Sequence, residues 1–463
     1  MIALGLAALM SCQGIASDSS LLDRKKHNVL IVVVDSLRAD RLGVYGHDRP
    51  GISPNIDRLA EEGMLFSRAQ TAATWTLPSV ASLFTGLHPL SHGTYNASEA
   101  LAEPHVTLAE TLGLFGYATA GFVSGIFLNQ QFGLNQGFET WSDIPVDFSS
   151  KGPRPPRKTS DLLVPEVLDW MKGNKQEPFL LFVHLMDAHP PLDLPDDGDT
   201  RVFDPEYSGI WEEESLDLRI KKRTFGRVVH RKGGRAAVMT ERDVAHINAR
   251  YDAGVQYSDR YVGQLLEALE DQGLEDETIV VLTSDHGLDL LEHNTLFSYP
   301  SQAPYEEISA VPLIVRHPDG PEGMRIPDPV SLVDVLPTLL DLLGLPANSG
   351  AEGRSVMSAM LGEPLEPVDL FCFGSPEREP EPDRMTMSIE RQGKKLLTHS
   401  IAPFDFFATE LYDLGADPGE RQDLSLTDHA TLGALQQDLH RFVRKRGGDG
   451  LYNPPRSKSS DPR

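Results

Sequence analysis

Cysteine is almost absent: among 463 residues only Cys12 and Cys372 carry a thiol. With Cys12 in a leader-like segment, no internal disulfide is expected, so hydroxyl, imidazole, carboxylate or metal chemistry must carry any activity. Positive charge is scarce too. Acids outnumber bases by 68 to 42, and the net charge of −26 repels nucleic acid and disfavours it as a partner. After the first residues no segment reaches the roughly 18 consecutive apolar residues of a membrane helix, so the body is expected to fold in water. Apolar content of 40% excludes a disordered chain, and the length suits one large domain with a smaller companion.

What is present begins with an apolar run, Met1–Met10, followed by a polar stretch to Lys26. This reads as a secretory segment, and Leu9-Met10-Ser11-Cys12 resembles a bacterial lipobox, although a basic n-region is missing. The expectation is an envelope location, with the protein held to the membrane by a lipid on Cys12; a cleaved signal and a periplasmic or secreted protein is the alternative.

The body alternates strand and helix. Buried-strand texture recurs at 27–34, 118–123, 179–184, 278–284 and 311–315, and helical spacing at 53–60, 108–115, 161–171, 251–270 and 333–343. The expected fold class is α/β: a mixed, mostly parallel sheet flanked by helices. After Leu361 short strands at 370–373, 385–390, 394–399 and 410–412 predict a small antiparallel sheet closed by a helix over 431–444. The expected division is a leader and tether (1–26), a catalytic α/β domain (27–365), a small C-terminal α+β subdomain (366–450) and a disordered tail (451–463).

Chemistry gathers where strands end. Asp35 closes the first strand, His184 to His189 follow a middle one, and Asp285-His286-Gly287 follow a later one. Ligands in open parallel sheets collect at carboxyl ends, so these groups are expected to share one crevice. Thr76, in Thr74-Trp75-Thr76-Leu77-Pro78, stands at a turn into an apolar helix with Pro78 in its first turn. Threonine there is most often a helix cap; a hydroxyl beside the positive helix end is also suited to anion chemistry.

In this order the motifs resemble the sulfatase family of the alkaline phosphatase superfamily. The resemblance runs from Asn28 to Leu424 through Ser53-Pro54-Asn55-Ile56-Asp57, Thr85-Gly86-Leu87-His88-Pro89, His184, Asp187, His189-Pro190, Ser284-Asp285-His286-Gly287, Tyr305-Glu306-Glu307 and Glu410-Leu411-Tyr412-Asp413-Leu414 with Asp417-Pro418-Gly419-Glu420. It implies one divalent cation held by Asp35, Thr76, Asp285 and His286, with Ca²⁺ favoured by family and Mg²⁺, Mn²⁺ or Zn²⁺ compatible with the ligand set. His189 is then the first candidate for the ester oxygens or the leaving group, with Arg38 and His293 behind it and His92 a weaker choice. The implied substrate is an anionic ester: a sulfated or phosphorylated glycan, lipid or small molecule.

The departures from the family are informative. Where sulfatases place Cys or Ser in Cys/Ser-x-Pro-x-Arg, for conversion to formylglycine, this chain has Thr76, Pro78 and Val80. No formylglycine is expected, and Thr is the nucleophile in similar phosphoryl enzymes such as nucleotide pyrophosphatase-phosphodiesterases and lipoteichoic acid synthases. The family's second Asp is Ser36, and no Lys or His occurs between Asn294 and Tyr305 to serve the leaving group. The reading is a metal-dependent hydrolase of sulfate or phosphate esters using Thr76. The alternatives are a phosphotransferase or phosphodiesterase acting on envelope lipids or glycans, and an inactive protein that binds anionic glycans. The basic residues between Arg219 and Arg235 form either a solvated insert or a lip that attracts an anionic substrate or headgroup.

Overall fold

The computed structural model describes residues 26–145, 158–174, 178–211, 224–225, 228–230, 236–297, 303–374, 385–400 and 406–451. The leader with Cys12, the basic residues of the Arg219–Arg235 segment and the tail from 452 onward lie outside the described residues.

Seven residues without a side-chain charge, Asn28–Val34, form strand β1, buried along its whole length. Such a strand belongs at the centre of a sheet covered on both faces. It pairs in parallel with β5 (Phe179–Leu185) and β9 (Thr278–Thr283). Outward on one side lie β3 (Ala118–Val123) and β4 (Thr140–Ser142), both parallel. On the other side β10 (Ala310–Arg316) runs antiparallel to β9 and to β2 (Met64–Gln70), and β11 (Met324–Ile326) and β12 (Val330–Ser331) add to β2. The result is a nine-stranded, mostly parallel sheet. Because β1, β5 and β9 are in parallel register, Asp35, His184 and Asp285 emerge on one edge.

Between these strands a three-stranded insert, β6 (Thr224–Phe225), β7 (Val228–His230) and β8 (Ala236–Val238), precedes a helix that is longer than its apolar periodicity predicts. That helix spans Glu241–Gln272 rather than 251–270. Thr240 and Asp243 cap it reciprocally, and Tyr207 stacks on His246 with ring centres 3.6 Å apart, burying turns that look polar in sequence. The 333–343 helix is also adjusted: a 3₁₀ turn, Leu332–Asp334, precedes the α-helix Val335–Leu342.

A second sheet, β13 (Leu370–Gly374), β14 (Thr386–Arg391), β15 (Lys394–Ser400) and β16 (Phe406–Asp413), is wholly antiparallel and packs under the helix His429–Leu451. Its apolar cluster includes Phe371, Met387, Leu396, Leu411 and Leu439. The seam with the large sheet is hydrogen-bonded: Thr74 N donates to Phe373 O at 2.9 Å and Phe373 N to Ala72 O at 3.0 Å. The backbone leading to Thr76 is thus stitched to the C-terminal sheet.

Candidate active site

The candidate nucleophile, Thr76, opens the helix Thr76–Thr85, all ten of whose residues are buried. Its N-cap is Trp75, which makes no side-chain cap, so Thr76 is the first helical residue and the capping reading of its hydroxyl does not hold. Instead Thr76 Oγ1 donates to Asp35 Oδ2 at 3.3 Å. His92 stands beside this helix, its Nε2 3.0 Å from Ser82 Oγ while its Nδ1 accepts from Thr94 N at 3.1 Å. Burial pushes the His92 imidazole down to about 3, so it braces the helix as a neutral group.

Asp35, Asp285 and His286 converge, one ligand atom from each lying within 4.8 Å of the others, and all three are buried. Two clamps hold Asp285 by its own carbonyl: Thr71 Oγ1 and Ser79 Oγ each donate to Asp285 O at 2.6 Å. His286 Nδ1 lies 2.7 Å from Gly287 O, and a donor there leaves Nε2 as the lone-pair nitrogen turned toward the carboxylates. Gly287 is obligatory, since a Cβ would sit 2.0 Å from Glu307 O.

Ser36 fills the place of the family's second Asp in an unexpected way. Its φ of 62° is left-handed, a conformation costly for a residue with a Cβ. That turn lets Ser36 Oγ donate to Asp35 Oδ1 at 2.8 Å and Ser36 N to Asp285 Oδ1 at 3.2 Å, so one residue bridges both carboxylates. Tyr251 secures the turn, donating to Ser36 O at 2.7 Å and accepting from Arg38 N at 3.0 Å.

Electrostatics separate the two acids. Burial alone would push Asp35 up, but His189, His184 and His286 outweigh it and hold the carboxyl well below the ordinary range. Burial and the neighbouring Asp35 charge push Asp285 up despite His286 and His184. Among the described residues the ion pairs of these two carboxylates are with His184 and His286, and none is with Lys or Arg. Two enclosed carboxylates with no fixed cation are a poor arrangement unless a metal joins them. The donor set of two carboxylates, an imidazole nitrogen and a hydroxyl fits one divalent cation.

The other predicted residues divide. His189 is buried and close enough to Asp35 to act on its charge. Arg38 is buried but engaged: its guanidinium grips Asp40 through two hydrogen bonds and reaches Glu292 Oε1 at 2.5 Å and Leu288 O at 3.0 Å. His293 is engaged on both nitrogens, with Glu307 Oε1 at 2.6 Å and Glu420 O at 3.0 Å, and stacks on Tyr305. Burial would lower its pKa, but these acceptors outweigh that and raise it. His184, expected in the shared crevice but given no catalytic or metal role, has its Nε2 3.4 Å from Asp35 Oδ2. The sheet sets that distance, since His184 pairs with Val33 across β1 and β5 and so flanks Asp35.

Comparison with known proteins agrees with this architecture. The model of the sulfatase family matches residues 27–345, and the chain belongs to that family of ester hydrolases. It is 25% identical to arylsulfatase K of Gallus gallus over 90% of this chain and 82% of that protein. It is also 25% identical to the multifunctional alkaline phosphatase superfamily protein PehA of Trinickia caryophylli, over 86% of this chain and 91% of that one. In fold it is similar to BT4656, solved with its substrate D-glucosamine-2-N,6-O-disulfate, at a TM-score of 0.72 and 20% identity over 94% of this chain and 100% of that one. A phosphonate monoester hydrolase of Agrobacterium radiobacter is similar at a TM-score of 0.68 and 20% identity, covering 91% and 95% of the two chains.

Proposed function

We propose that the protein is a metal-dependent ester hydrolase in which Thr76 is the nucleophile, with phosphorus favoured over sulfur as the centre attacked. The observation that carries this reading is the Thr76 hydroxyl, withdrawn from helix capping and turned 3.3 Å from Asp35 Oδ2 among the buried ligands. Asp35, Asp285 and His286 would hold the cation, which when bound lowers the pKa of an adjacent hydroxyl and offsets the charge of the ester. Asp35, by accepting the Thr76 hydrogen bond, fixes the rotamer from which Oγ1 attacks. The new bond joins Oγ1 to phosphorus as the bond to the alcohol oxygen breaks; the Oγ1 proton passes along its hydrogen bond to Asp35 Oδ2 and returns to Oγ1 when water opens the phosphothreonine ester. His189, buried and near enough to act on the Asp35 charge, is assigned in this reading to receive the ester oxygens or to protonate the departing alcohol.

Threonine is what shifts the preference to phosphorus. An aldehyde hydrate can expel sulfate with its second hydroxyl, whereas an ester on plain Thr must be opened by water at the central atom. The name of arylsulfatase K nevertheless makes aryl sulfates a necessary comparison. The test is turnover of aryl phosphate, phosphodiester, phosphonate monoester and aryl sulfate by protein reconstituted with Mn²⁺ or Ca²⁺, beside Thr76→Ala. Phosphorus ester turnover that vanishes in the variant supports the reading. Sulfate turnover alone would reverse the preference, and turnover surviving in Thr76→Ala would remove Thr76 from the chemistry. Cation binding without turnover would favour the inactive glycan-binding alternative.

A further inference from the structure

Lys395 on β15 is a lysine with no exposed surface, lying outside the ligand set and unused by the proposed reaction. Burying an ammonium is costly unless it is paired, so its partners show what it holds. Its Nζ donates to Glu306 Oε1 at 2.8 Å and to Ser309 Oγ at 3.1 Å, and pairs with Glu420 Oε1 at 3.0 Å. Glu306 and Ser309 are the two ends of one short helical turn, and Glu306 N also donates to Glu420 Oε2 at 2.6 Å. The C-terminal sheet thus grips both ends of Glu306–Ser309.

The carbonyls of that turn face the metal motif. Gly287 N donates to Ile308 O at 2.7 Å and Leu288 N to Glu307 O at 2.9 Å. Ser309 O accepts from Thr71 N at 2.9 Å, and Thr71 Oγ1 in turn holds Asp285 O at 2.6 Å. The close approach of Gly287 to Glu307 O leaves no slack in this contact. We propose that Lys395 is a positioning residue for Asp285 and His286: through Glu306 and Ser309 it fixes the turn on which the Asp285-His286-Gly287 backbone rests. The functional consequence rests on the reading that these two side chains hold the cation; the backbone consequence does not.

The experiment uses the full chain in metal-free form and follows amide hydrogen exchange in peptides covering 285–290 and 305–311. Lys395→Met is compared with wild type, with Lys395→Arg as conservative rescue and with Lys394→Met as control. Lys394, the neighbouring residue on β15, pairs instead with Asp413 on β16 at 2.7 Å. The expected result is that Lys395→Met speeds exchange in both peptides at least about tenfold and Lys394→Met does not. Titration with Mn²⁺ alone should then show Kd weakened about tenfold in Lys395→Met, with partial recovery in Lys395→Arg. Wild-type exchange in the two peptides, or a Kd within about twofold of wild type, would overturn the proposal and leave Lys395 a structural residue. If Lys395→Met does not fold, Ser309→Ala decides: faster exchange at 285–290 supports the path, and no change sinks it. Failure of the metal reading shows separately, as absence of Mn²⁺ binding in wild type or undiminished binding in Asp285→Asn.

Discussion

Two charge clusters stand on either side of the Glu306–Ser309 turn's contacts, one gripping that turn and one at the carboxyl ends of β1 and β9, and they are solved in opposite ways. Around Glu306 and Glu420 the chain supplies its own cation, Lys395, at 2.8 and 3.0 Å. Around Asp35 and Asp285 it supplies, among the described residues, imidazoles, hydroxyls and backbone amides and no Lys or Arg ion pair. Glu306 keeps 30% of its side chain exposed whereas Asp35 and Asp285 are enclosed, so the more deeply buried carboxylates are the ones without a fixed cation, and the difference lies in what each cluster is free to accept. A fixed ammonium makes a structural lock, whereas on the proposed reading carboxylates without one would take their charge from a bound cation, beside which an anionic ester could sit.

The sharpest way to break the comparison is to remove the hydroxyl from the second cluster. Thr76→Ala should fold with wild-type stability to within about 1 kcal/mol and lose on the order of 10⁴-fold in kcat, because a nucleophile has no substitute. Steady-state kinetics beside thermal melts checks both halves, and retained turnover would place the nucleophile elsewhere.

Next in size is the imported charge. Saturating Mn²⁺ or Ca²⁺ at about 100 times Kd should stabilise the fold by about 2.7 kcal/mol, and a chelator should remove that gain. Asp285→Asn should abolish it, while Lys395→Arg should keep part of it. Equal cation-induced shifts in Asp285→Asn and wild type, read by thermal melts, would show that the ion binds elsewhere.

The bridge between the carboxylates comes third. Ser36→Ala keeps the amide bond to Asp285 but deletes the 2.8 Å hydroxyl contact to Asp35. Groups that orient metal ligands are worth about 10- to 100-fold in metal affinity, and the expectation here is the lower end, since half of the bridge remains. Calorimetric titration with Mn²⁺ checks this, and an unchanged Kd would reduce Ser36 to a turn residue.

These contrasts also mark what a sequence can disclose. The apolar runs at β1, β5 and β9 announce a central parallel sheet, and the polar residues closing those runs announce where its ligands lie. Asp35, Asp285 and His286 were legible because they sit one to three residues past an apolar strand. β2 was not: Met64–Gln70 carries Ser67 and Arg68 in its middle, so alternation fails and only pairing with β10 makes it a strand. Arg38 and His293 have the chemistry of site residues, but partners distant in sequence, Glu292 for one and Glu420 for the other, engage them. Lys395 was silent for the same reason, since beside Lys394 it reads as an ordinary exposed strand charge until Glu306 and Glu420 close over it.

The smallest effect concerns buried groups that carry no charge at all. His88 lies at the seam against Phe371, Phe373 and Phe442, and His92 lies beside the Thr76–Thr85 helix. Burial pushes both imidazoles from 6.5 down to about 3. The unfolded chain therefore binds protons below pH 6.5 that the fold refuses until about pH 3, so stability is full above 6.5 and is lost as pH falls. Each histidine costs on the order of 1 kcal/mol over the first unit of that descent. His88→Phe, at home among three phenylalanines, should remove about half of the slope from these two residues while leaving the cation-induced stabilisation intact. Denaturant melts between pH 7 and 5 read both quantities on one sample. A slope unchanged by the substitution would mean that His88 already carries its proton in the fold, and the seam would then be polar where its aromatic packing makes it dry.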